Sequence, residues 1–179
     1  MRHLLNSILL LLTLTLPISC SNTQAVNVQV NTNTQVYFSP NGGATEAIVK
    51  EIDKAKTEIL VQAYSFTSKE IAKALVDAKK RGVHVEIILD RSNRSKKYSA
   101  GDFTAHMEIP TYIDARHPIA HNKIMIIDKE TVITGSFNFT KAAEKNAENL
   151  LIIKSGELAK VYIDNWNTHK KHSEEYMGR

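Results

Sequence analysis

Hydrophobic and polar positions change their period several times along the chain. Between Thr45 and Lys56, Ile48, Ile52 and Ala55 recur at helical spacing. Glu58–Phe66 is a mostly apolar, β-rich run of the kind that forms a buried strand. Thr67-Ser68-Lys69-Glu70 then reads as a capping box, opening a helix with Ile71, Leu75 and Ala78 on one face. Lys79, Lys80 and Arg81 fall in its last turn, where cations suit the helix dipole, and Gly82 is a natural stop. Val83–Asp90 alternates and then turns apolar, which predicts another strand.

The flanking stretches fill in the pattern. Val36-Tyr37-Phe38 predicts a short first strand, closed by the turn-like Ser39-Pro40-Asn41-Gly42-Gly43. Arg91-Ser92-Asn93-Arg94-Ser95-Lys96-Lys97 is a basic polar loop, followed by a weak helix over 97–107 that Gly101 opposes. Thr111–Asp114 predicts a short strand. Lys123–Asp128 and Thr131–Thr134 are β-rich and joined by a tight turn at Lys129-Glu130, and Asn149–Ile153 is a further strand. Ser155-Gly156 opens a last helix with Leu158, Tyr162 and Trp166 on its core side. The cadence is that of an α/β domain, a mixed sheet flanked by helices. No internal repeat is evident.

Composition narrows the class. The chain has 179 residues, 42% hydrophobic and 23% charged, which fits one globular domain and excludes a disordered chain or a polytopic membrane protein. Its single cysteine, Cys20, excludes an internal disulfide framework and a Cys-rich zinc site. No Asp, Glu, Lys or Arg occurs from Leu4 to Ala44. Met1-Arg2-His3, an apolar run over 4–16 and small residues after it predict a signal peptide over 1–25, with cleavage after Ser21 or Ala25. Asn6, Ser7 and Pro17 keep that run short of the roughly 20 residues a membrane span needs. A polar tether over 26–35 and a catalytic domain over 36–179 complete the expected organisation, with export to the periplasm or outside. Ile18-Ser19-Cys20 resembles the end of a lipobox, which offers a lipoprotein tether through Cys20 as an alternative. The net charge of +4 suits an anionic partner without demanding one.

The chemistry concentrates in one stretch. His121-Asn122-Lys123 is followed after four residues by Asp128, and after six more by Gly135-Ser136-Phe137-Asn138. This pattern, HxK(x4)D(x6)GSxN, resembles the signature of the phospholipase D superfamily at every defined position. Ala63-Tyr64-Ser65-Phe66-Thr67, the turn over 78–83 and the stretch 135–140 are similar to its small bacterial members with one copy of the motif. Those members include periplasmic endonucleases and short secreted proteins labelled phospholipase D.

A phosphodiester is anionic and repels nucleophiles, so its cleavage needs charge neutralisation, a nucleophile and a proton for the leaving oxygen. His121 offers an imidazole as nucleophile. Lys123, two residues on and on the same side of a strand, offers an ammonium to the phosphate oxygens. Ser136 and Asn138 add hydroxyl and amide donors to the same phosphate. The resemblance implies a phosphohistidine intermediate resolved by water, with the second catalytic histidine supplied by a second motif. With one motif here, a homodimer sharing its active site is expected, since one imidazole cannot stand on both sides of phosphorus. Glu148 matches the acid that follows the motif in the small nucleases, and is expected on the far nitrogen of His121. Asp128 faces away from Lys123 on an alternating strand and is expected to be structural or orienting.

The lead expectation is therefore a metal-independent phosphodiesterase without cofactor, acting as a nonspecific endonuclease on DNA or RNA. The basic loop (Arg91, Arg94, Lys96, Lys97) and the Lys79–Arg81 cluster are its candidate nucleic-acid contacts. Two alternatives stand beside it: a phospholipase D acting on phosphatidylcholine-type lipids at the same site, and an inactive nucleic-acid-binding module. No metal site is expected, because Pro118 prevents a helix that would pair His117 with His121. His84, His106, His169 and His172 follow no pattern, and Phe137 and Phe139 read as core or interface packing.

Overall fold

A computed structural model describes residues 33–95 and 99–179. The expected signal peptide, Cys20, most of the tether, Lys96 and Lys97 lie outside the described residues.

Among the described residues, eight strands and four α-helices follow one another as β1 (Asn33–Ser39), α1 (Ala44–Lys54), β2 (Glu58–Ala63), α2 (Lys69–Lys80), β3 (His84–Asp90), α3 (Ala100–His106), β4 (Thr111–Asp114), β5 (Lys123–Ile127), β6 (Thr131–Gly135), β7 (Glu148–Lys154), α4 (Gly156–Lys170) and β8 (Glu174–Glu175). They form one sheet in the order β1-β7-β6-β5-β2-β3-β4-β8. β2, β3 and β4 run parallel, as βαβ crossovers dictate, and the remaining pairings are antiparallel. The expected α/β class with a mixed, helix-flanked sheet is the observed one.

Strand alternation sorts the core into two layers. Ile59, Val61, Ile87, Leu89, Met125 and Ile133 pack beneath α1, α2 and α3. Leu60, Ile88, Ile124, Ile126 and Val132 face α4, where buried Trp166 donates its indole N–H to the Val61 carbonyl at 3.0 Å. The central strands are covered on both faces, which explains their near-continuous apolar runs.

Several boundaries differ from expectation for local reasons. β1 starts at Asn33, because its full length pairs with β7, so the polar segment 33–35 is strand and not tether. The cap of α2 is Ser68, one residue later than the capping-box reading: its Oγ accepts from the Ile71 N–H at 3.3 Å. The β5–β6 turn is centred on Asp128 and Lys129, both with positive φ, as a type I′ turn requires. Arg91–Ser95 is a 3₁₀ turn and not an open loop, fastened by the buried Asn93 amide to the carbonyls of Tyr64 and Asp90, both at 2.9 Å. Gly101, the residue that opposes α3 by propensity, lets that helix press onto β3, since a Cβ there would stand 2.5 Å from Leu89 Cδ1.

Candidate active site

The parallel strands β2, β3 and β4 end at Ala63, Asp90 and Asp114, on the edge of the sheet where α/β folds gather ligands. β5 runs the other way, so its first residue, Lys123, sits opposite Ala63. β6 returns to the same edge, where Ile124 pairs with Thr134, and β7 starts there, with Gly135 opposite Leu150. The hairpin and sheet order thus deliver both halves of the motif to one place.

His121 is exposed, and its ring lies 4.5 Å from the ring of Tyr64. The imidazole has no hydrogen-bond partner among the described residues. Lys123 is buried, its Nζ donating to the His121 carbonyl at 2.7 Å and standing 4.9 Å from the Tyr64 ring centre. Burial pushes its pKa down, and the charge of Glu148 opposes that shift. A buried cation over an aromatic face, beside an exposed imidazole, suits an arriving anion.

The second half is a tight turn. Gly135 has φ 149°, and a Cβ there would stand 2.3 Å from the Asn149 carbonyl oxygen. That same oxygen accepts from the backbone N–H groups of Ser136 and Phe137, both at 3.1 Å. Ser136 is exposed, and its Oγ accepts from the Asn149 backbone N–H at 3.1 Å while donating to Glu148 Oε2 at 2.5 Å. Asn146 donates to the other Glu148 oxygen at 3.2 Å. Asn138 is half-buried, its amide oxygen enclosed without a partner. Phe137 and Phe139 are core residues, and Phe139 bridges to Phe66.

His121, Lys123, Ser136, Asn138 and Glu148 therefore share one end of the sheet. Glu148 is spent on Ser136 and Asn146 and not on the His121 ring. Asp128 belongs elsewhere. It lies at the far end of β5, about 17 Å from Lys123 at strand rise. Its carboxylate accepts from the N–H groups of Lys56, Thr57 and Glu58 and from the Thr57 hydroxyl, at 2.8–3.2 Å. Burial raises its pKa, but these bonds outweigh burial and hold it below the ordinary carboxylate value.

Among the described residues, three of the candidate basic contacts are engaged within the fold. Arg94 is paired with Glu174. Lys79 donates to the carbonyls of Met107 and Glu108, and Arg81 to that of Ile52. Lys79 and Arg81 thereby tie helix ends together, and Arg94 ties the 3₁₀ turn to β8, whereas Arg91 is exposed.

Sequence reasoning gave no role to three residues that support the site. Tyr64 flanks both His121 and Lys123. Buried Asp90 accepts from the Ala120 N–H at 2.8 Å, fixing the backbone immediately before His121. Asn149 fastens the Gly135–Ser136 turn. The first two directly follow or end a strand at the site edge, which is the signal that could have found them. A fourth group was also missed: His117, His169 and His172 converge on Asp114.

A family model described as cardiolipin synthase, PLD-like domain, matches residues 48–170. Phospholipase D of Rickettsia conorii is 49% identical over 134 residues, spanning 74% of this chain and 67% of that protein. The mitochondrial cardiolipin hydrolase of Homo sapiens is 27% identical over 134 residues, spanning 70% of this chain and 50% of that protein. Among solved structures, Nuc from Salmonella typhimurium, a phospholipase D family member, superposes with a TM-score of 0.78 at 43% identity, covering 82% of this chain and 99% of that one. NucT from Helicobacter pylori superposes with a TM-score of 0.73 at 23% identity, a likeness of fold, covering 82% and 100% of the two chains.

Proposed function

The chain belongs to the phospholipase D superfamily and is a phosphodiesterase of that superfamily, and on that premise we propose that it cleaves nucleic-acid phosphodiesters through His121 with no metal ion at the reacting phosphate. The carrying observation is the gathering of exposed His121, buried Lys123 and the Ser136–Asn138 turn at one open end of the sheet. An open edge suits a polymer lying across it.

In this reading a ring nitrogen of His121 attacks phosphorus, forming an N–P bond as the bond to the leaving oxygen breaks. Lys123, Ser136 and Asn138 hold the non-bridging oxygens. The leaving oxygen takes a proton from a second imidazole on the opposite side, the partner's His121 in a two-fold dimer. Water then attacks the phosphohistidine, giving its proton to that second imidazole, and the N–P bond breaks. The proposal includes export, directed by the segment over 1–25 and, in the lipoprotein variant, ending in a tether at Cys20.

A second reading, hydrolysis of a phosphatidyl headgroup at the same site, draws on one observation. Ile119 is 60% exposed two residues before His121, an apolar side chain at the rim. The name phospholipase D of the rickettsial relatives points the same way. The two readings part in one experiment: the purified chain is incubated in EDTA with plasmid DNA and, separately, with phosphatidylcholine vesicles. DNA cleavage without choline release supports the nuclease. Choline release without DNA cleavage replaces it with the lipase. Inertness toward both substrates, in EDTA and equally in zinc-loaded protein without chelator, would overturn each and favour a binding module.

A further inference from the structure

Three histidines outside the motif meet around one carboxylate. Asp114 ends β4 on the face covered by α4 and is fully buried. His117 comes from the loop that leads to His121; His169 and His172 come from the end of α4 and the turn after it. One ligand atom from each of the four lies within 4.8 Å of the others.

Hydrogen bonding alone accounts poorly for this arrangement. Asp114 Oδ1 already accepts from the backbone N–H groups of Arg116 and His117, at 3.1 and 3.4 Å. Oδ2 faces three ring nitrogens, His169 Nδ1 at 2.8 Å, His117 Nδ1 at 2.9 Å and His172 Nε2 at 3.3 Å, and His117 Nδ1 also stands 3.1 Å from Oδ1. A carboxylate has about four lone-pair sites over two oxygens, and here two backbone N–H groups and three ring nitrogens compete for them. The rings themselves press together, with centres 4.9 to 5.4 Å apart. A shared cation relieves the crowding, because each nitrogen and Oδ2 then directs a lone pair at one centre. Tetrahedral bonds of about 2.0–2.2 Å set ligand atoms about 3.3 Å apart, within reach of small side-chain rotations here.

We propose that Asp114, His117, His169 and His172 form a structural Zn²⁺ site. Three imidazoles and one carboxylate suit zinc, whereas Mg²⁺ and Ca²⁺ call for oxygen-rich shells. Four protein ligands fill the tetrahedron, so the ion activates no water and stands apart from the phosphate chemistry. Its ligands join β4, the end of α4 and the loop that runs through Ala120 to His121. The ion therefore clamps the C-terminal segment and the approach to the nucleophile. Paired Asp-x-x-His and His-x-x-His spacings are the sequence trace of the site.

The test uses the full chain without a polyhistidine tag. Dialysed against Zn²⁺ and then metal-free buffer, it is expected to retain one zinc per chain by elemental analysis. Co²⁺ in its place should give the intense visible d–d bands of a four-coordinate site. Zn²⁺ at a hundredfold excess over its dissociation constant should raise Tm by about 5–10 °C. His117→Ala and His172→Ala should lose the zinc, the bands and the Tm rise, while the control His84→Ala keeps them. Zinc well below one per chain with no Tm response would overturn the site, as would a six-coordinate Co²⁺ spectrum or unchanged binding by both variants.

Discussion

The Ser136 hydroxyl donates to Glu148 Oε2 at 2.5 Å, joining the end of β6 to the start of β7 across the candidate site. The carboxylate that the motif resemblance assigns to the His121 ring is thus directed, within the chain, at the Ser136 hydroxyl. In the reaction proposed above, an arriving phosphate would compete with Glu148 for that hydroxyl and repel the carboxylate, which could then turn toward the His121 ring. Glu148→Gln keeps the shape and the hydrogen bond but not the charge. Its turnover is expected to fall about 100-fold with KM little changed. Unchanged kcat would leave Glu148 only as a support for Ser136.

His121 itself separates chemistry from folding. Its ring is exposed and makes no hydrogen bond among the described residues, so His121→Ala should leave Tm within about 1 °C of the parent. Turnover on either substrate should fall at least about 10⁴-fold, as expected for loss of a nucleophile. Wild-type enzyme quenched in alkali during turnover should carry an alkali-stable, acid-labile phosphohistidine that the variant lacks. Retained turnover would remove His121 from the mechanism.

Much of this was legible in the sequence because period-2 and period-3.6 patterns report burial directly. The β-α-β-α-β start, the Trp166 face of α4 and the strand position of Lys123 all follow from such patterns. Less visible were features built by contacts distant in sequence. Asp90 ends a strand at the site edge, but its partner Ala120 lies 30 residues away, and Asn149 reads as an ordinary strand residue. His169 and His172 lie 55 and 58 residues from Asp114, so only the packing of α4 on the sheet brings them together. The surroundings of the basic clusters were hidden for a related reason: charge counts do not show that Lys79 and Arg81 end on backbone carbonyls.

Asp128 gives a stability prediction with a definite sign. Its folded-state pKa lies below the ordinary carboxylate value, so its stabilisation is present above the unfolded pKa of about 3.9 and fades as pH falls through the folded value. Asn tolerates the positive φ of 53° at this position. Asp128→Asn should therefore cost about 1–2 kcal/mol at pH 7 and lose less of its remaining stability than the parent below about pH 4. Urea melts at both pH values measure this. At 25 °C turnover should stay near the parent's, and a large loss of kcat in folded protein would place Asp128 in the reaction after all.

Gly135 is fixed by space and by backbone conformation together. A methyl group there meets the Asn149 carbonyl oxygen at 2.3 Å, and the φ of 149° is unfavourable for any side chain. Gly135→Ala should destabilise by about 1–3 kcal/mol and displace Ser136, so that KM rises even at temperatures where the chain is folded. A parent-like Tm would show that the β6–β7 edge yields easily, and would weaken the view of this turn as a rigid phosphate cradle.

The last prediction concerns the number of chains that make one site. In-line displacement needs nucleophile and acid on opposite sides of phosphorus, and the chain carries one copy of the motif. The exposed His121 ring is free to meet its symmetry mate at a two-fold axis. Light scattering should give twice the chain mass. Wild type and His121→Ala, refolded together in equal amounts, should yield about a quarter of wild-type dimers by random pairing, with mixed dimers turning over more slowly than these. Independent sites would instead keep half of the wild-type rate. A fully active monomer would require both proton transfers to run within one chain, and attention would pass to Glu148 as the second acid–base group.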